Sequence, residues 1–172
     1  HTRQQLEHAL SATFQDASNE RLKLAIHYSL LDGGKRLRPA LVKAASELVG
    51  AKESLWLIPA QSLEMIHVYS LIHDDLPAMD DDDLRRGKAT NHKQFDEATA
   101  ILVGDALLTL GFEWMATHQS QLVGADQSIR VMGRVAHAIG TQGMVGGQQL
   151  DLTQTFKSSA DLLRMQDLKT GA

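Results

Sequence analysis

The stretch LIPAQSLEMIHVYSLIHD, Leu57 to Asp74, is apolar nearly all round as far as Ile72 and then runs into a pair of acids, Asp74 and Asp75. A surface helix would keep one broad polar face, so this segment reads as a helix buried on most sides. It has one polar exception. On an ideal helix His67, Ser70 and Asp74 fall within about 60° of one another, a stripe that suggests an interior cavity with acids at its mouth. Outward from this helix, apolar residues recur at helical spacing, only three Pro occur, and no Asn-Gly or Asp-Gly turn joins alternating strand-like runs. The chain therefore reads as all-α. Helices are expected over Thr2 to Asp16, Glu20 to Leu31, Pro39 to Leu48, Leu57 to Asp74, Gln94 to His118, Gln127 to Gln149 and Ala160 to Lys169. Pro39 and Pro59 sit near helix starts, where a missing N–H is tolerated, and Pro77 helps to end the helix at Asp74. Gly140, Gly143, Gly146 and Gly147 would permit close packing or a kink.

Bulk properties narrow the field. With 172 residues, 43% of them hydrophobic, the chain can bury one substantial core, and a single domain over 1–172 is expected. A net charge of −4 exerts no global pull towards nucleic acid or an anionic membrane, so any anion site must be local. The absence of Cys excludes disulfides and thiolate metal sites and suits a cytoplasmic location. The longest mainly apolar stretch, Ala98 to Phe112, is interrupted by Asp105 and falls short of a membrane span, so it is expected to be a buried helix.

Asp74, Asp75, Asp80, Asp81, Asp82 and Asp83 place six acids within ten positions. A solvated loop would relieve their repulsion with water and salt. Placed directly after a buried helix, however, carboxylates without sulfur ligands favour a hard cation, and magnesium shared with substrate phosphates is the common arrangement. Arg85, Arg86 and Lys88 follow at once. They either neutralise the acids at the surface or hold phosphate oxygens bidentately. A second basic cluster, Asp32 to Pro39 (DGGKRLRP), is either a structural turn or an anion site. It lacks the Gly-x-x-x-x-Gly-Lys-Ser/Thr pattern of a P-loop. Two basic clusters suggest two anions, one bound with metal and one without.

The stretches GGKRLRP and SLIHDDLPAMDDDDLRRGKATNH, with GDALL at Gly104 to Leu108, GGQQLD at Gly146 to Asp151 and KTGA at Lys169 to Ala172, resemble the signature regions of trans-isoprenyl diphosphate synthases. The expanded Asp-Asp-x-x-x-x-Asp pattern of Asp74, Asp75 and Asp80 is similar to that of bacterial farnesyl diphosphate synthases. The resemblance implies an all-α isoprenoid synthase-type bundle around a central cavity, acting in the cytoplasm as a homodimer with Mg2+. It implies that Asp74 and Asp80 ligate magnesium with support from Asp75, and that Arg85, Lys169 and Thr170 contact an allylic diphosphate. Lys35, Arg38, His67 and Arg86 would hold isopentenyl diphosphate. The expected reaction ionises dimethylallyl or geranyl diphosphate, joins the cation to isopentenyl diphosphate and eliminates a proton, giving farnesyl diphosphate. An aromatic at Tyr69, beside Ser70, implies that short product, although an ideal helix turns Tyr69 about 140° from Asp74. The family's second aspartate-rich motif has no counterpart here, so the chain is expected to be the N-terminal part of a synthase; Thr153 to Leu168 departs from the family pattern, which bears on the placement of Lys169. A geranylgeranyl diphosphate synthase, and a non-catalytic diphosphate-binding homologue or subunit, are the alternatives. A terpene cyclase would not need GGKRLRP for a second diphosphate.

Overall fold

The computed structural model describes residues 2–14, 19–153 and 158–171. They form two compact units, 1–122 and 123–172.

In the first unit the expected buried helix is present with the expected ends, α4 (Leu57–Asp74). Around it stand α1 (Thr2–Ala12), α2 (Glu20–Leu30), α3 (Leu37–Leu48) and α6 (Glu97–Trp114). A short turn, Glu53–Leu55, precedes α4. The far end of the expected Thr2 to Asp16 helix lies outside the described residues. Helix starts follow from local side chains: the Asn19 Oδ1 accepts the Leu22 N–H at 3.0 Å, and the Asp96 carboxylate accepts the Thr99 N–H at 2.7 Å. Helix α3 begins two residues before Pro39, which sits in its first turn where no intrahelical N–H is required. The core gathers Leu6, Leu10, Ile26 and Leu30 against Met65, Ile66, Val68 and Ile72 of α4 and Val103 and Leu107 of α6.

The all-α reading holds with one small exception. Strands β1 (Leu84–Arg85) and β2 (Lys88–Ala89) pair antiparallel in the register Leu84↔Ala89 and Arg85↔Lys88. Arg86 (φ 53°) and Gly87 (φ 81°) make the tight left-handed turn between them. Two residues per strand are too few for an alternating pattern, and Arg-Gly is not a familiar turn signal. After this hairpin comes the single turn α5 (Asn91–Gln94).

Beyond Trp114 the chain stays helical through a π segment, Met115–Gln119, and a last turn, α7 (Ser120–Val123). The resulting helix, Glu97–Val123, outruns the apolar stretch read from sequence and is long and apolar enough, by length and composition, to cross a membrane. One face of it is the α4-facing core of the first unit, and Asp105 and Glu113 lie on exposed positions along it.

The second unit holds α8 (Ala125–Ile139), α9 (Met144–Thr153) and α10 (Ser159–Thr170). The single helix expected over Gln127 to Gln149 is therefore two helices. Gly140 adopts an extended backbone and accepts the Gly143 N–H at 3.1 Å, turning the chain within the glycine-rich segment. Gly147 has the other role foreseen for these glycines: a Cβ there would strike the backbone of Lys169, so its absence lets α9 lie directly against α10.

Candidate functional site

The loop after α2 is built from left-handed residues: Gly33 (φ 83°), Gly34 (φ 94°) and Arg36 (φ 49°). For arginine that conformation costs about 1–2 kcal/mol, so other contacts must hold it. The Arg36 Nη1 donates to the Glu64 Oε1 at 2.6 Å and the Nη2 donates to the Leu30 carbonyl at 2.8 Å. Both charged side chains are only 3% exposed, which is why each requires the other. With Arg36 turned inward, its neighbours Lys35 and Arg38 remain exposed.

Arg86, in the hairpin turn, reaches the same loop and donates from Nη1 to the Gly33 carbonyl at 3.2 Å. A Cβ on Gly34 would sit 2.5 Å from a guanidinium nitrogen of Arg86, which would have to shift, and the left-handed backbone there itself favours glycine. The result is a cavity of about 550 Å³ lined by Lys35, Arg38, His67 and Arg86, with Arg36 and Glu64 in its wall. All four residues assigned by resemblance to isopentenyl diphosphate therefore meet in one place. Burial, then the cations Arg38, Arg86, Arg85 and Arg36, push the His67 pKa down to about 4. At neutral pH the imidazole is uncharged and offers one N–H donor.

The acidic side lies at the C-terminal end of α4. Asp75 is buried and accepts from Arg85, at 2.8 and 2.9 Å from Nε and 2.5 Å from Nη2. This fork fixes the guanidinium plane, and the hydrogen bond to Asp75 raises the Arg85 pKa. Arg85 and Arg86 also border a second cavity of about 30 Å³ together with Asp75, so Arg86 lies at both. Asp74 is half-buried and Asp80 exposed, and the Asp80 N–H donates to the Asp74 carbonyl at 2.9 Å, folding the loop back onto the helix end. The acidic run is anchored rather than free: the Thr90 hydroxyl donates to the Asp82 carbonyl at 2.8 Å, and Asp83 pairs with Lys93 at 2.8 Å.

A magnesium ion fits the donor set but not a closed cage. Asp74 and Asp80 offer hard oxygens on adjoining turns of chain, whereas Asp75 is committed to Arg85. Among the described residues no three His, Asp or Glu gather around one point. Magnesium held by one or two carboxylates, with water and phosphate completing its shell, needs no such group.

Tyr69 is buried, with its ring edge-on to His73 at 5.6 Å. Burial and then Asp74 raise its pKa. The Ser70 hydroxyl donates back to the His67 main-chain carbonyl at 2.8 Å, a local bond within α4. Lys169 and Thr170 belong to the second unit. There Lys169 pairs with Asp151 at 2.5 Å and the Thr170 hydroxyl donates to the Gln166 carbonyl at 2.8 Å. The pair Arg36 and Glu64 escaped the sequence reading of the site. Its signal was an acid three residues before His67 on a helix otherwise judged buried, which demands a cationic partner.

A family model described as polyprenyl synthetase matches residues 19–172. The dimethylallyltranstransferase of Fischerella ambigua is 45% identical over 173 residues, which take in 99% of this chain and 50% of that protein. The farnesyl diphosphate synthase of Bacillus subtilis is 53% identical over 131 residues, 76% of this chain and 44% of that protein. Geranylgeranyl pyrophosphate synthase 7, chloroplastic, of Arabidopsis thaliana is 57% identical over 129 residues, 75% of this chain and 37% of that protein. The crystal structure of a geranyltransferase from Legionella pneumophila superposes with a TM-score of 0.95 at 43% identity, covering 99% of this chain and 61% of that one. The chain spans about half the length, or less, of these curated relatives.

Proposed function

The chain belongs to the polyprenyl synthetase family, and on that premise we propose that the whole protein is a trans-prenyltransferase that joins isopentenyl diphosphate to dimethylallyl or geranyl diphosphate and releases farnesyl diphosphate. The observation that carries this reading is the cavity where Lys35, Arg38, His67 and Arg86 converge beside the Asp75–Arg85 fork. A single-substrate diphosphate enzyme has no use for a second, metal-free anion pocket. Lys35, Arg38 and Arg86 supply the charge that holds the isopentenyl diphosphate, and neutral His67 adds an N–H without a further cation. Arg85, its Nε and Nη2 edge held by Asp75, turns its remaining edge to the allylic diphosphate and stabilises the charge that grows as the carbon–oxygen bond breaks.

Asp74 and Asp80 would hold magnesium, which as a Lewis acid supplies further stabilisation of the leaving diphosphate. The apolar flanks of α4 keep water from the carbocation, which the double bond of isopentenyl diphosphate then attacks; a proton is lost to the released diphosphate. We assign Tyr69, with Ser70, to product length, working from a homodimer in the cytoplasm. Relatives named for farnesyl and for geranylgeranyl products both match, so a twenty-carbon product is the second reading. The test is to incubate the full-length protein with magnesium, labelled isopentenyl diphosphate and geranyl diphosphate, and to separate products by length. A fifteen-carbon product that lengthens in Tyr69→Ala supports the first reading. A twenty-carbon product from the unaltered protein rejects it for the second, and no product rejects both.

A further inference from the structure

The basic cavity has a support in its own wall, the ion pair of Arg36 and Glu64. Arg36 is the middle cation of Lys35-Arg36-Leu37-Arg38, and it alone of the three is buried. Its left-handed backbone reverses the chain between two exposed cations. Its guanidinium ties the loop to two elements at once, to the Leu30 carbonyl at the end of α2 and to Glu64 on α4. Glu64 lies three residues, about one helical turn, before His67. The loop that presents Lys35, and the start of α3 that presents Arg38, are thus clamped to the very turn of α4 that presents His67.

We propose that the buried Arg36–Glu64 pair is a positioning device that sets the spacing of Lys35, Arg38 and His67 for a metal-free diphosphate. This deepens the assignment of the basic cavity to isopentenyl diphosphate and rests on it. The pair is internally neutral, so it contributes geometry rather than net attraction, and the cavity's positive charge comes from the exposed cations. Removing both charges together leaves the net charge unchanged and leaves no buried ion without a partner, a replacement that proteins often tolerate. Gln at position 36, shorter than Arg and without its two terminal nitrogens, would still no longer reach both the Leu30 carbonyl and residue 64 on α4.

The experiment measures inorganic diphosphate binding to the chain by calorimetry, in a chelating buffer free of magnesium, alongside thermal melting. Four proteins are compared: unaltered, Arg38→Ala, the double variant Arg36→Gln with Glu64→Gln, and Arg36→Lys. The double variant is expected to melt cooperatively yet bind about tenfold more weakly, and Arg36→Lys, which keeps the ion pair but not the fork, to fall between. If the double variant does not fold, Arg36→Lys decides. Affinity within twofold of the unaltered protein in the folded variants, with Arg38→Ala weakened, overturns the positioning role alone. If Arg38→Ala also binds as the unaltered protein does, the assignment of the cavity falls with it.

Discussion

At the residue scale, the neutral state of His67 is a consequence of its company. Burial and four nearby guanidinium groups hold its pKa near 4, so an anion entering the cavity should weaken that repulsion and raise the value. Nitrogen-detected NMR titration of His67 with and without inorganic diphosphate is expected to show an upward shift; an unchanged value would mean that the anion binds elsewhere. The same group contributes to acid sensitivity. Unfolded His takes a proton near pH 6.5 and folded His67 only near 4, so between those values the unfolded state binds more protons. Its share of stability is therefore complete above pH 6.5 and lost as pH falls towards 4. His67→Gln should flatten that part of a melting-temperature profile. Asp75→Asn should lose the charged fork to Arg85 and, because Asp75 is buried, destabilise the fold by about 2 kcal/mol in urea titrations. The cavity residues were legible because cations and acids flanked a helix that had to be buried. The inward turn of Arg36 was not, since three adjacent basic residues look alike until the backbone shows which one has φ 49°.

At the element scale, α4 was readable to the residue because an apolar surround, Pro59 near its start and acids at its end all agree on one answer. The hairpin at 84–89 was not, because its two-residue strands carry no period and its turn is made by Arg86 and Gly87. The break between α8 and α9 shows a similar limit: amphipathic spacing continues across 127–149, and only the glycine backbone decides between a kink and a turn. Close approach of α9 and α10 gives an element-level prediction. Gly147→Ala would place a methyl group against the Lys169 backbone, which cannot rotate away as a side chain would. The substitution should destabilise the second unit by about 1–3 kcal/mol, seen as earlier loss of helix signal in denaturant. Wild-type behaviour would show that the two helices do not need that contact.

At the scale of the molecule, an all-α fold was expected from spacing alone, and family membership from the two charged motifs and the shorter matches downstream. Composition could not show the assembly of the basic cavity, because its residues come from four separated places: Arg3 of α1, the 34–36 loop with the start of α3, α4, and Arg86 of the hairpin turn. Nor could it show that Asp75 faces Arg85 rather than a metal. The central claim is that one protein holds two diphosphates by different means, cations for one and an acidic metal site for the other. Initial rates of the full-length protein, with each substrate varied in turn, test it most directly. Arg38→Ala is expected to raise KM for isopentenyl diphosphate about tenfold while leaving KM for geranyl diphosphate near its original value, and Asp74→Ala to lower kcat by about 100-fold or more. An Arg38→Ala enzyme in which both KM values move together, or neither moves, would contradict two separate diphosphate sites.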